Sequence, residues 1–549
     1  VLPAESLLCD LVAELLHVER VGLGDNFFHL GGDSISSIRL VSLARDRGLR
    51  LTPKDVFLHP ALGELAQVVQ HESDTSVEQA AAYGSLPATP IIRRLLTQPG
   101  PWTGFHQAVL LQVPACLDEA ALVSALQGLL DHHDALRLQV SAEGTLCIPP
   151  TGSVNARACL EHLSLEGLDA EAGDAALRRA ADEGRGRLDP GAGRLLHAVL
   201  AQTTDAQPGR LLLLVHHLAV DGVSWRILQE DLASAYEAAR RGDAIALPRK
   251  TTSFRQWATA LVATAARHRD ERQVWEAVAT RPATMLVAGH LDPARDTVGT
   301  AGHVARSLSV ETTTKLLTTV PAAFHARIND VLLAGLALAV ANWQQARGER
   351  HIGALRIDLE GHGRESFGAA IDLTRTVGWF TTLYPVHLDL GSLDLADARA
   401  GGPAAGRALK RVKEQLRAVP NNGLGYGLLR YVDPMSRADF ASHPVPAIAV
   451  NYLGRFPAGQ ARDWQPALEA GVLLGDGDPA TPLDHPIALN AITEDTPAGP
   501  VLRASWRFAP ALVSQADADL RIKRFGRSGN IATSIGDNHH DFVDAGPRR

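Results

Sequence analysis

Residues 211–225 read LLLLVHHLAVDGVSW. The aliphatic run Leu211–Val215 reads as a buried strand. Asp221-Gly222 make a turn after it, and Ser224 caps a helix whose apolar face carries Trp225, Leu228, Leu232 and Tyr236. Two imidazoles, His216 and His217, therefore stand where a strand ends and a loop begins, with the carboxylate of Asp221 four residues beyond His217. Neighbours on a strand point to opposite faces, so one histidine faces a cleft and the other packs away. Histidine suits proton transfer near neutral pH. A satisfied pair of core histidines would leave the same trace in the sequence.

The pattern around this unit is strand alternating with amphipathic helix. Strand-like runs occur at 108–113, 211–215, 355–359, 384–390, 447–452 and 502–508, and helical stretches at 118–130, 225–239, 329–345 and 404–417. About 430 residues of this texture exceed one simple core, so two α/β lobes are expected. In "LRIDLEGHGRE" (355–365), Leu355, Ile357 and Leu359 share one face of a strand and Arg356, Asp358 and Glu360 the other. Glu360 ends that strand just before a Gly-His-Gly loop, where a carboxylate can enter a cleft; a solvated edge charge is the bland alternative. "AVNYLGRF" (449–456) puts Asn451 and Tyr452 at another strand end, each able to donate to a developing oxyanion. Two further pairs, His132-His133 after a helix and His539-His540 in the tail, suit a structural role and no assigned role respectively. Nucleophile-elbow, P-loop and dinucleotide-binding signatures are not found.

Residues 1–70 have a different texture. Leu7, Leu8, Leu11, Val12, Leu15 and Leu16 recur at helical spacing, and "FHLGGDSISSIRL" (28–40) leads through two glycines into a helix that starts at Ser34. Seventy such residues suit a small all-α bundle. Residues 71–86 read as a linker, 87–520 as the α/β region with lobes at about 87–270 and 271–520, and 521–549 as a loose tail. A formal net charge of −8 argues against nucleic acid as a partner. The longest apolar run, eleven residues at 331–341, is too short to span a membrane. Four scattered cysteines read as reduced, buried thiols of a cytoplasmic protein, and no metal-ligand spacing is present.

Taken together, these stretches resemble a known family. "DNFFHLGGDSISSIRL" is similar to the carrier (thiolation) domain of nonribosomal peptide synthetases, whose serine in "GGDS", here Ser34, receives a 4′-phosphopantetheine arm. "HHLAVDGVSW", "NDVLLAGL", "EGHGRE", "TRTVGWFTTLYP", "PNNGLGYG" and "NYLGR" resemble, in order, the motifs of the epimerization domain. Asp33 before the serine resembles carriers that feed such a domain. "PIIRRLL" (90–96) departs from the family's opening motif, and the end of the chain after about Leu512 departs from its final helices.

The resemblance implies an acyl-carrier-like bundle followed by a two-lobed, chloramphenicol-acetyltransferase-like condensation/epimerization domain. It implies inversion at Cα of an aminoacyl or peptidyl thioester held on Ser34, with His217 and Glu360 as acid/base groups. Asn451 and Tyr452 would bind the thioester oxygen or the amine, and Asp221 would hold the histidine loop by pairing with a basic residue. The covalent arm is the only cofactor implied, with no metal. Implied partners are a phosphopantetheinyl transferase, an upstream adenylation domain and a downstream condensation domain, with no membrane or nucleic acid. Rival readings are a peptide-bond-forming condensation domain on the same fold, a non-catalytic carrier-docking domain, and a free-standing acyltransferase, which would not explain the fused carrier.

Overall fold

The computed structural model describes residues 3–16, 18–32, 34–71, 81–202, 204, 207–348, 354–365, 371–457, 462–467 and 477–515. Asp33 and the expected tail at 521–549 lie outside the described residues.

The N-terminal bundle forms because each helix carries one apolar stripe. Pro3–Leu16, Ser34–Asp46, Pro53–Leu58 and Leu62–Val68 enclose Leu8, Leu11, Val12, Phe27, Leu40, Val41, Val56 and Leu65. It is not purely helical: Leu49–Arg50 pairs antiparallel with Gln70–His71, closing the bundle with a short ribbon. The expected linker is also shorter than its sequence suggests. Gly84–Leu86 already pairs with Leu146–Ile148 in a three-stranded sheet of the large region.

That region has two lobes, each a sheet with helices packed on it. In the first, His106–Val113, Gly209–His216, Leu196–Gln202 and Leu160–Ser164 lie side by side. Helices Glu119–His132 and Gly222–Arg241 cover one face, and Ala170–Arg185 covers the other. Both faces are covered, which is why Leu211–Val215 carries no polar alternation. The second lobe is a six-stranded mixed sheet, ordered Gly302–Ser307, Gly499–Phe508, Ile487–Thr496, Ile448–Pro457, Leu355–Gly361 and Thr382–Leu388. Helices Ile328–Ala346 and Pro403–Arg417 pack on it through Leu333, Leu336, Leu409 and Val412.

The lobes are not two consecutive halves of the chain. Leu373, Val377, Trp379, Phe380, Leu424, Leu428 and Trp464 all join the core of the first lobe. Trp464 and Pro466 run along the edge strand His106–Val113, with Trp464 N–H donating to the Gln112 carbonyl at 2.8 Å. These segments therefore stitch the second lobe to the first and fix the strand ends that carry His217 and Glu360.

The four cysteines are free, as expected, but only Cys159 is buried; Cys116 is exposed and Cys9 and Cys147 are half-buried. Among the described residues, no single helix is long and apolar enough to cross a membrane.

Candidate active site between the lobes

The two histidines do divide their tasks. His216 is fully buried: its Nε2–H donates to the Trp102 carbonyl at 3.0 Å and its Nδ1 accepts from Leu218 N–H at 3.1 Å. Burial holds it neutral, with its pKa pushed down to about 3. His217 is half-buried between the rings of Phe105 and Trp379, at 4.9 and 4.5 Å between centroids. Burial pushes its pKa down to about 4, so it is a neutral imidazole at pH 7.

Its tautomer follows from a chain of donors. The Trp225 indole N–H can only donate, and it donates to Gln107 Oε1 at 2.8 Å. The Gln107 amide nitrogen must therefore be the donor to His217 Nε2, 2.9 Å away. The neutral ring keeps its basic lone pair on Nε2 and its proton on Nδ1. Gln107 was not singled out from sequence, because a lone glutamine at the start of an apolar strand carries no periodic or motif signal.

The loop after His217 is held by a buried ion pair. Asp221 caps helix Gly222–Arg241 through Ser224 N–H at 2.8 Å and accepts from the Arg364 guanidinium at 3.0 and 3.2 Å. Both residues are 5% exposed. Arg364 also donates to the carbonyls of Leu373 (2.8 Å) and Thr376 (2.7 Å) and lies 4.0 Å over the Phe380 ring. Ser224 Oγ bridges to the Gly378 backbone. The motifs "HHLAVDGVSW", "EGHGRE" and "TRTVGWFTTLYP" thus meet in one network. Gly363 is required there: its φ is +64°, and a Cβ would sit 1.7 Å from the Phe380 carbonyl oxygen. Arg364 is four residues beyond Glu360 as Asp221 is beyond His217, so one ion pair ties the two strand ends together.

Glu360 stands beside Asn451 on adjacent parallel strands, and the Asn451 amide donates to Glu360 Oε2 at 2.7 Å. Burial raises the Glu360 pKa to about 7, opposed by the charge of Arg94. Its neighbours on the same strand are not solvated edge charges either. Asp358 is buried and paired with His485 at 2.7 Å, and Arg356 donates to the Arg281 carbonyl at 2.9 Å. Asn451 and Tyr452 are not brought together. Tyr452 packs against the second lobe's core and shares a 3.0 Å hydrogen bond with the buried Thr493 hydroxyl, while Asn451 stands with Glu360. Adjacent strand residues face opposite ways, which separates them.

His132 and His133 form a cluster with Asp231 in which three donor atoms lie within 4.8 Å. Asp231 accepts from His133 at 2.9 Å and from Arg375, so its carboxylate already holds a cation.

Ser34 begins the helix Ser34–Asp46. Gly31 before it has a φ of +99° and lies against the Arg455 guanidinium, and a Cβ on Gly32 would lie 2.4 Å from the Phe27 ring, so close packing leaves neither position room for a side chain. A helix N-terminus offers free N–H groups to a phosphodiester, which fits a phosphopantetheine arm. The bundle rests on the large region. Arg39 pairs with Glu230 at 2.8 Å, Arg45 pairs with Asp372 and donates to Thr374, and Arg327 lies 4.5 Å over the Phe57 ring.

Comparison with known proteins agrees with this architecture. The phosphopantetheine attachment site family matches residues 6–69 and the condensation domain family matches residues 97–465. The chain is 36% identical over 520 residues to a linear gramicidin synthase of Brevibacillus parabrevis, covering 92% of this chain and 10% of that protein. It is 36% identical over 461 residues to surfactin synthase subunit 1 of Bacillus subtilis strain 168, covering 82% of this chain and 12% of that protein. The chain therefore spans about a tenth of the length of these relatives. Among solved structures, the epimerization domain from the third module of tyrocidine synthetase B aligns with a TM-score of 0.71 at 29% identity, over 84% of this chain and all of that one. The first condensation domain of the CDA synthetase aligns at 0.54 and 19% identity over 83% of this chain and 97% of that one, a likeness of fold. The expected helical carrier and two-lobed, chloramphenicol-acetyltransferase-like region are what the structure contains. The chain is a phosphopantetheine carrier domain followed by a member of the condensation-domain family of nonribosomal peptide synthetases.

Proposed function

We propose that the two-lobed region epimerizes the Cα of an aminoacyl or peptidyl thioester carried on Ser34. The observation that carries this reading is the opposite tuning of two proton carriers at linked strand ends. His217 is pushed down to about 4 and Glu360 up to about 7. Between about pH 4 and 7 the pair holds a single titrating proton, on Glu360. One group can accept while the other donates, which is what inversion at a carbon asks of its two faces. Making a peptide bond asks for one group at the attacking amine and leaves a second, buried acid without a task.

The arm would be borne by Ser34 and supplies the substrate as a thioester, whose carbonyl acidifies the Cα proton. His217 accepts that proton in one direction, its Nε2 lone pair passing from the Gln107 amide to the substrate, and Glu360 returns a proton to the opposite face of the same carbon. In the reverse direction the carboxylate accepts and the imidazolium donates. Asn451, bonded to Glu360, keeps the carboxyl oriented, and the second N–H of its amide can serve the negative charge that develops on the thioester oxygen. Asp221 and Arg364 fix both loops and exchange no proton.

The experiment is chiral analysis of the residue released from Ser34 after loading with an L-aminoacyl or L-peptidyl pantetheine. A mixture of L and D isomers supports the reading. Retention of pure L, with a new amide formed when a second loaded carrier is supplied, overturns it in favour of condensation.

A further inference from the structure

The carrier bundle meets the large region on both of its lobes. On the second lobe, the Arg327 guanidinium covers the Phe57 ring at 4.5 Å, and the His29 ring stands 6.5 Å from that of His325. The loop that leads to Ser34 rests on strand Ile448–Pro457, where a Cβ on Gly31 would come within 2.6 Å of the Arg455 guanidinium. On the first lobe, the helix that Ser34 opens puts Arg39 on Glu230 at 2.8 Å, and Arg45 on Asp372 and on the Thr374 hydroxyl. The helix start is therefore held between an anchor on each lobe, beside the strand that carries Asn451.

Charge sets the first-lobe contact. Glu230 and Asp231 are consecutive on helix Gly222–Arg241, and Arg375 lies against Asp231 and 3.9 Å from Glu230. One cation of the large region thus serves two carboxylates. The Asp372 carboxylate accepts from the Thr374 N–H and hydroxyl at 3.0 and 2.8 Å, and among the described residues Arg45 is the only cation on it. The large region leaves Glu230 and Asp372 short of positive charge, and the two carrier arginines supply it. The Arg45 and Asp372 side chains are 26% and 32% exposed, so this pair is partly withdrawn from solvent and its screening. Asp372 is also fixed by its own region. Its N–H donates to the Thr252 hydroxyl and its carbonyl accepts from the Thr252 N–H, both at 2.9 Å. Docking therefore does not have to order this acceptor, which lowers its cost.

We propose that Glu230, Asp372 and Thr374 form a charge-selective docking surface, which recognises a carrier by arginines five and eleven residues beyond its modified serine, here Arg39 and Arg45 after Ser34. These arginines are specificity-determining: a carrier with carboxylates at the two places meets like charge and is turned away. This rests on the epimerase reading above and names the feature of the partner that delivers its substrate.

The test compares the wild-type chain with the double variant Arg39→Glu, Arg45→Glu. Both are phosphopantetheinylated and loaded at Ser34 with the same L-peptidyl group, with loading confirmed by intact mass. Deuterium uptake at Cα in heavy water is read in single turnovers. The double variant is expected to exchange about tenfold more slowly at low salt, the size of two partly exposed ion pairs turned repulsive. The gap is expected to narrow to about twofold in about 1 M NaCl, where the screening length is about 3 Å. Arg39→Glu alone is expected to be about threefold slower, and Glu230→Arg in that background to restore the rate. A soluble L-peptidyl pantetheine thioester, given to the chain with Ser34 unmodified, does not need docking. It is expected to exchange no more slowly in the double variant than in the wild type. Unchanged carrier-borne exchange in the double variant overturns the proposal. So does a loss that Glu230→Arg fails to restore, or one that the soluble thioester shares. Wild-type exchange from neither substrate instead overturns the epimerase reading, and this proposal with it.

Discussion

The side-chain amide of Asn451 donates a 2.7 Å hydrogen bond to Glu360 Oε2. A donor to a carboxylate favours its charged form. Glu360 is already raised to about 7 by burial, and the bond from Asn451 opposes any further rise. Asn451→Leu is therefore expected to move the alkaline limb of the Cα exchange rate to higher pH. The check is the pH dependence of deuterium uptake in single-turnover reactions. An alkaline limb that stays in place, or moves down, removes Asn451 from this role.

The pair His217 and Glu360 works only while it shares one proton, in either direction of the reaction. The exchange rate is expected to rise with pH through about 4 and to fall through about 7. Stability carries a matching signature. Folded Glu360 keeps its proton to about pH 7, whereas an unfolded glutamate releases it near about 4.3. The folded state binds more protons in that window, so this group destabilises the fold progressively as pH rises from about 4.5 to 7. Glu360→Gln is expected to raise the Tm at pH 8 and change it little at pH 4, while the exchange rate drops by about 10²–10⁴. Thermal unfolding at the two pH values checks the sign.

Asp221 and Arg364 form a buried pair across the two catalytic loops, at 3.0 Å. Removing one partner of such a pair leaves an uncompensated charge and costs about 3–5 kcal/mol. Arg364→Met is expected to lower stability by that amount, and the double variant with Asp221→Asn is expected to recover part of it. Denaturant unfolding of the two singles and the double measures the coupling. A single variant with wild-type stability would show that the pair does not hold the loops.

Gln107 donates to His217 Nε2 because Trp225 fixes its oxygen. Replacing it by glutamate puts an acceptor where the neutral ring has its lone pair, which favours the imidazolium. Gln107→Glu is expected to move the acid limb of the exchange profile upward from about 4. An unmoved acid limb would mean that another group sets it.

Much of this site was legible as strand and loop. Leu211–Val215 announced a covered strand because no polar residue interrupts it, and the alternation in 355–360 put Glu360 on the face opposite Leu359. Which histidine turns to the cleft was not legible from alternation, since either phase satisfies the pattern; His216 is taken up by the Trp102 carbonyl and Leu218 N–H. Nor was Gln107, whose role depends on Trp225 more than a hundred residues away in the chain. Arg364 and Asp221 were each visible in their motifs, but their pairing needed the two lobes in contact. The apparent two-halves division failed for a related reason: Trp379, Phe380 and Trp464 lie late in the sequence yet bury their rings in the first lobe.

The most direct measurement is deuterium incorporation at Cα of an L-peptidyl group loaded on Ser34 in heavy water, in the wild-type chain and in His217→Ala. The expected result is deuterium at Cα together with D isomer in the wild type, and a loss of about 10²–10⁴ in rate in the variant. A wild-type chain that incorporates no deuterium, or a His217→Ala chain that exchanges within about tenfold of wild type, would contradict the assignment of His217 to proton transfer at Cα.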